Sequence, residues 1–234
     1  MKLLSTLLLL FFTTVTMAQT NDPFWEFAVV KDKDGYCNVR RSGEVTGNVT
    51  DKLYNGDLVL VAEKQGNWML VGYRKNNEER FGFIYYDRLQ LVSSYKNIPA
   101  TAKNEHTVTF GNSAATLTVA TEAFNKSKYR ITSSPDSQWV KRINGKKFWG
   151  TDGFMPTRAY TSIVLTINKK KISLPKAAFD DLFQPSLTHI FLHYDEAGDI
   201  YYLHAMNSDG VASYTVVWKI EKGVYKRRSI SLIA

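Results

Sequence analysis

Polar and apolar positions alternate in short runs along this chain, and the runs are separated by Gly, Asn, Asp and Ser. In Tyr36-Cys37-Asn38-Val39-Arg40 the period of two sends Cys37 and Val39 to one face of a strand and Tyr36, Asn38 and Arg40 to the other. Asn55-Gly56 is a hairpin-type turn leading into a nearly continuous apolar strand at 58–62. Gln65-Gly66-Asn67 turns the chain into Trp68-Met69-Leu70-Val71, and the polar stretch 74–80 reads as a loop before Phe81-Gly82-Phe83-Ile84-Tyr85-Tyr86. Trp68 and Phe83 lie within apolar runs and are expected in the core. Strands this short, at this spacing, predict a small barrel or sandwich.

Residues 93–104 are polar, contain Pro99 and lack periodicity, which predicts a linker with few contacts on either side. Beyond it strands are predicted at 106–110, 115–120 and 128–132. Asn144-Gly145 predicts a hairpin between 138–143 and 147–149, and 160–167 is a long β-branched strand. One helix is predicted at 175–183, with Pro175 at its first position, Ala178, Phe179 and Leu182 as its apolar stripe and Pro185 beyond its end. Four more strands fall near 189–194, 199–206, 212–221 and 224–231. The predicted fold is mainly β. A small β-barrel domain occupies residues 24–92, and an antiparallel β-rich (α+β) domain with one short helix occupies residues 105–234. Such a linker implies two independently folded units.

Composition adds a compartment. Met1-Lys2, the apolar run 3–12 and the small or polar residues 13–19 have the order of a secretory signal, and Thr16 and Ala18 suit cleavage after Ala18. Residues 1–18 are therefore expected to be removed, leaving a periplasmic or secreted protein; the apolar run is too short to span ~30 Å of hydrocarbon. Cys37 is the single cysteine, so the chain forms no internal disulfide. Its core-facing position makes it a small hydrophobe rather than a nucleophile. The formal net charge of +8 is unevenly spread. Residues 21–96 hold 11 basic and 11 acidic side chains, whereas residues 97–234 hold 18 and 11. Such an excess is read as solubilising surface charge or, as a binding face in an exported protein, as suited to an anionic envelope polymer or an acidic protein partner rather than nucleic acid.

Four motifs follow one another in a telling order. Asn38-Val39-Arg40, Asn55-Gly56-Asp57 before a Val-rich strand, Gly66-Asn67-Trp68 and Gly82-Phe83-Ile84 resemble the bacterial SH3-like domain over residues 27–92. Cys37 stands where that family has leucine, Phe83 where it has tryptophan, and Ser42-Gly43 lacks the proline that often follows. The resemblance implies an SH3-like β-barrel that binds peptidoglycan peptides or other envelope proteins. Tyr36, Arg40, Tyr85 and Tyr86, near strand ends, are the residues expected on its ligand face.

No catalytic set is legible. The cysteine peptidases that often accompany SH3-like domains need a thiolate paired with histidine, and the chain has no cysteine beyond Cys37. Ser-x-x-Lys is spelled at Ser93 and Ser173, but no Lys-Thr-Gly accompanies either. His189 and His193 lie roughly 13 Å apart on one strand, too far to share a metal. A hairpin loop at 195–198 would set His189 opposite His204. Asp152-Gly153 and Asp209-Gly210 read as turns rather than calcium ligands. Gly150-Thr151-Asp152-Gly153-Phe154-Met155-Pro156 has the look of a signature, with no activity attached to it. The expected protein is a non-enzymatic envelope binding protein without cofactor, metal or membrane span. An inhibitor or immunity protein acting through the basic C-terminal domain on an exported enzyme is the alternative. An enzyme using His189, His204 and Asp209 is a third reading.

Overall fold

The computed structural model of the chain describes residues 26–76, 78–111, 115–135 and 139–232. The expected signal segment, residues 1–18, lies outside them. The first strands are β1 (Glu26–Val30), β2 (Tyr36–Arg40), β3 (Val49–Tyr54), β4 (Leu58–Gln65), β5 (Trp68–Lys75), β6 (Glu78–Tyr85) and β7 (Leu89–Leu91). They form one antiparallel sheet in the order β3-β2-β6-β5-β4-β1-β7. Strands β1 to β6 all send side chains into a single core that includes Val30, Val39, Leu53, Val61, Val71 and Ile84, and Leu89 and Leu91 of β7 pack against it. A flat sheet does not bring its two edges to one core, so this one curls. Its hydrogen-bonded order still ends at β3 and β7 and does not close into a ring.

The remaining strands are β8 (Lys96–Ile98), β9 (Ala100–Lys103), β10 (Thr107–Gly111), β11 (Ala115–Ala123), β12 (Ile131–Ser133), β13 (Val140–Ile143), β14 (Arg158–Ile167), β15 (Lys170–Ser173), β16 (Ile190–Asp195), β17 (Ile200–Asn207), β18 (Tyr214–Glu221) and β19 (Val224–Leu232). Two five-stranded antiparallel sheets, β15-β14-β11-β10-β9 and β19-β18-β17-β16-β8, face each other as a sandwich. Phe110, Leu117, Ile163 and Leu165 of the first meet Leu192, Leu203, Val216 and Trp218 of the second. A two-stranded sheet, β12-β13, stands apart over a small core of Val140, Ile143, Ala159 and Phe183.

The curled sheet and the sandwich are stacked. Ala28, Val30, Val59 and Val61 point into the curled core, while Phe27, Val29, Leu58 and Leu60 pack on Ile200, Tyr202 and Val217 of the sandwich. This explains the uninterrupted apolar runs of β1 and β4: both faces of these strands are covered. Arg227 pairs with Asp57 at 2.9 Å, the Ser231 hydroxyl donates to Glu79 at 2.5 Å, and the Arg74 guanidinium lies 5.8 Å from the Trp149 ring centre, each across the same seam.

Four expectations are corrected. Residues 93–104 are not a free linker. β8 pairs with β16 and β9 with β10, so the segment supplies an edge strand to each sheet of the sandwich and crosses between them at Pro99. The helix at 175–183 is a single 3-10 turn, Lys176–Ala178, and no helix of seven residues occurs among the described residues. Ala178, Phe179 and Leu182 are buried as expected. The Ala178 carbonyl, however, accepts from the Trp218 indole and the Arg228 guanidinium, both at 2.8 Å, instead of from a helical amide. Asn144-Gly145 does make a tight turn with positive φ at both residues, but the strand before it pairs with β12 rather than with 147–149. Finally, β5 and β6 run through the polar stretch 74–80, because Arg74 faces Glu79 and Lys75 faces Glu78 across a short turn at Asn76.

Candidate functional site

The alternation in β2 acts as read: Cys37 and Val39 are buried, and Tyr36, Asn38 and Arg40 face out. Burial pushes the Cys37 thiol up to about 12, so it carries no thiolate at neutral pH. Next to β2, the β5–β6 hairpin sets Trp68 directly opposite Tyr85. Their rings meet edge to face with centres 5.3 Å apart. Tyr36, Asn38, Arg40, Trp68 and Tyr85 line one groove of about 260 Å³, as do Asp32, Asp34 and Arg88.

Several contacts hold the groove's walls. The Asn55 carboxamide clasps the backbone of Asp32, donating to its carbonyl and accepting from its amide, both at 2.7 Å. Asp32 in turn accepts from the Asp34 amide at 2.8 Å and from Arg88 at 2.6 Å. The amide first and the guanidinium second hold its carboxyl below the usual carboxylate range. Arg40 donates to the Gly47 carbonyl and so ties down the 41–48 loop, whose Gly43 lies against the Trp68 side chain. A methyl group at Gly43 would come within 3.2 Å of that indole. The Lys52 ammonium sits 3.8 Å from the centre of the Tyr36 ring, which leaves only the other ring face for a ligand.

Of the four residues expected on the ligand face, Tyr36, Arg40 and Tyr85 line the groove together. Tyr86 is 46% exposed and stands beside it, its ring centre 5.5 Å from that of Tyr85. Trp68 corrects the expectation of a core position. It is half-buried because the core-facing residues of β5 are Met69, Val71 and Tyr73, and Phe83 is half-buried because Ile84 is the residue that β6 sends into the core. Asp34 and Arg88 belong to the groove too, although nothing in their sequence surroundings marked them.

No family model, curated protein or solved structure matches the chain. The groove therefore rests on its geometry.

The histidines arrange themselves differently from the expected register. The loop is four residues, but Asp195 pairs with Ile200, so Phe191 lies opposite His204 and the His189 carbonyl meets the Met206 amide. His189 instead shares a 3.1 Å hydrogen bond with Ser186. His204 is buried against the Phe27 ring, with its Nε2 2.8 Å from the Thr215 hydroxyl, and burial lowers its imidazole to about 4. His193, diagonal to it on the same face, is lowered too, chiefly by burial. Among the described residues no three His, Cys, Asp or Glu side chains converge as metal ligands. Asp209 lies on a different groove, of about 480 Å³, beside Ser186, Ser208 and Arg158.

Proposed function

We propose that this chain is an exported, non-enzymatic binding protein whose Tyr36–Trp68–Tyr85 groove holds a peptide, in the first instance a cell-wall peptide fragment or a segment of an envelope protein. The observation that carries this reading is the convergence of three aromatic side chains from β2, β5 and β6 with charged groups of both signs in one groove. Aromatic walls cover the apolar part of a peptide at low entropic cost. Among the lining residues, Asp34 matches its amino group and Arg88 its carboxylate, although Arg88 is also paired with Asp32 and Asp87, and Arg40 spends part of its hydrogen-bonding capacity on the 41–48 loop. The SH3-like resemblance of the same residues favours the same ligand class.

The test is titration of the mature chain with purified cell-wall peptides by calorimetry and by amide chemical-shift mapping. Shifts should concentrate at 36–40, 68 and 83–88. Trp68→Ala should weaken binding about tenfold or more while the fold is retained. Shifts confined to other surfaces, or none with any peptide, would overturn the reading. Capture of one stoichiometric protein through residues outside the groove would favour the inhibitor alternative.

A further inference from the structure

The 150–156 run has a structural purpose that the groove does not use. Gly150 and Gly153 both have positive φ, at 102° and 78°. A side chain at Gly150 would stand 2.2 Å from the Phe183 carbonyl oxygen, and one at Gly153 2.0 Å from the Trp139 ring. Both positions need glycine. The turn is locked further by Thr151, whose hydroxyl donates to the Phe154 carbonyl at 2.6 Å, and by the Val140 amide, which donates to Gly153 at 2.7 Å. Met155 packs against the small core beneath, and Phe154 is presented outward. Phe154 is 66% exposed beside Trp139 at 48%, with ring centres 5.3 Å apart. A constrained turn thus displays Phe154 to solvent, beside the half-exposed Trp139 ring from the residue before β13.

The charge of the protein gathers at the same lobe. Residues 126–147 contain seven Lys or Arg and one Asp, a net six positive charges out of the seven-charge excess of residues 97–234. Lys128 and Lys146 pair with Glu122 and Asp180. Lys126, Arg130, Lys141, Arg142 and Lys147 are exposed and make no ion pair among the described residues. Lys141 and Arg142 lie on β13, two and three residues beyond Trp139.

We propose that the β12–β13 lobe docks on an anionic phospholipid surface, with Phe154 and Trp139 at the headgroup–acyl boundary and Lys141, Arg142 and their neighbours on the lipid phosphates. The cations fit any polyanion, but the aromatic pair narrows the choice. Phe154, 66% exposed and carrying no polar atom, gains most where apolar medium begins. Each exposed cation near an anionic leaflet adds to the attraction, which falls away within a Debye length. Among the described residues no helix is long and apolar enough to cross a membrane.

Co-sedimentation of the mature chain with phosphatidylcholine vesicles, with and without phosphatidylglycerol, tests this. Binding is expected only with phosphatidylglycerol, and it should weaken in high salt. The double substitution Lys141→Glu with Arg142→Glu should reduce partitioning at least tenfold, and Phe154→Ser severalfold. Both changes are at exposed positions, and circular dichroism would confirm the fold. Absence of binding to phosphatidylglycerol vesicles overturns the proposal. So does binding that Phe154→Ser leaves unchanged, since the lobe would then be a plain polyanion site.

Discussion

Gly82 sits where β6 passes closest to β2. A methyl group there would stand 2.4 Å from Val39 Cγ1 and 2.9 Å from the Arg40 carbonyl oxygen, so the Arg40–Phe83 pairing needs glycine. Gly82→Ala should cost about 2 kcal/mol or more, read as a lower urea midpoint at unchanged slope. His204 supplies a second residue-scale prediction. Its folded imidazole is lowered to about 4 from an ordinary 6.5, so the unfolded chain binds the extra proton. Its contribution is complete above pH 6.5 and is lost as pH falls towards 4, on the order of 3 kcal/mol. The neighbours facing it, Phe27, Phe191, Thr215 and His193, offer no carboxylate to hold the imidazolium, although Glu26 opposes the lowering that burial imposes on His193. Melting temperatures of wild type and His204→Gln at pH 7 and pH 4.5 check this, and the variant should lose less on acidification. At this scale the burial of Cys37 and the outward face of β2 were legible, because Cys37 and Val39 alternate with polar neighbours. Trp68 was not. Trp68-Met69-Leu70-Val71 is apolar at every position, and a run without polar members does not say which parity faces the core.

The same property carries information when a whole strand has it. β4 reads Leu58-Val59-Leu60-Val61 because each parity has its own apolar partner, the curled core on one side and the sandwich on the other. Leu60→Ala should therefore destabilise by about 2–4 kcal/mol, comparable with a core position, whereas a solvent-facing residue would cost under about 0.5. Thermal or urea unfolding measures it, and a near-neutral result would mean the sheets are not stacked at β4. Elements that went unread share a different feature. β8 and β9 are edge strands whose places rest on backbone pairing with β16 and β10, and β9 is exposed at every residue. Nothing forces their side chains to alternate. The 175–183 segment carried a helical apolar stripe, but the Ala178 carbonyl is taken by Trp218 and Arg228 from distant strands. Tertiary donors displaced the local ones.

Between the two halves of the molecule lies an apolar layer of Phe27, Val29, Leu58, Leu60, Val92, Ile200, Tyr202 and Val217. It replaces the expectation of two independent units joined by a linker. Residues 21–234 should unfold in one calorimetric transition, and residues 21–95 expressed alone should self-associate or stay unfolded through the exposed Phe27, Val29, Leu58 and Leu60. Two well-separated transitions would sink this prediction. By itself the sequence determined the strand class, the tight turns at Asn55-Gly56 and Asn144-Gly145 (though not which strands pair around them: β3 and β4 are not neighbours), the inward face of β2 and the uneven charge, since each follows from local period, backbone freedom or composition. Tertiary structure alone decided the strand order, the role of residues 93–104, the partner of His204 and the meeting of Tyr36, Trp68 and Tyr85. Period two tells a strand which way its side chains point, but the register and the neighbour depend on hydrogen bonds and packing between segments far apart in the chain.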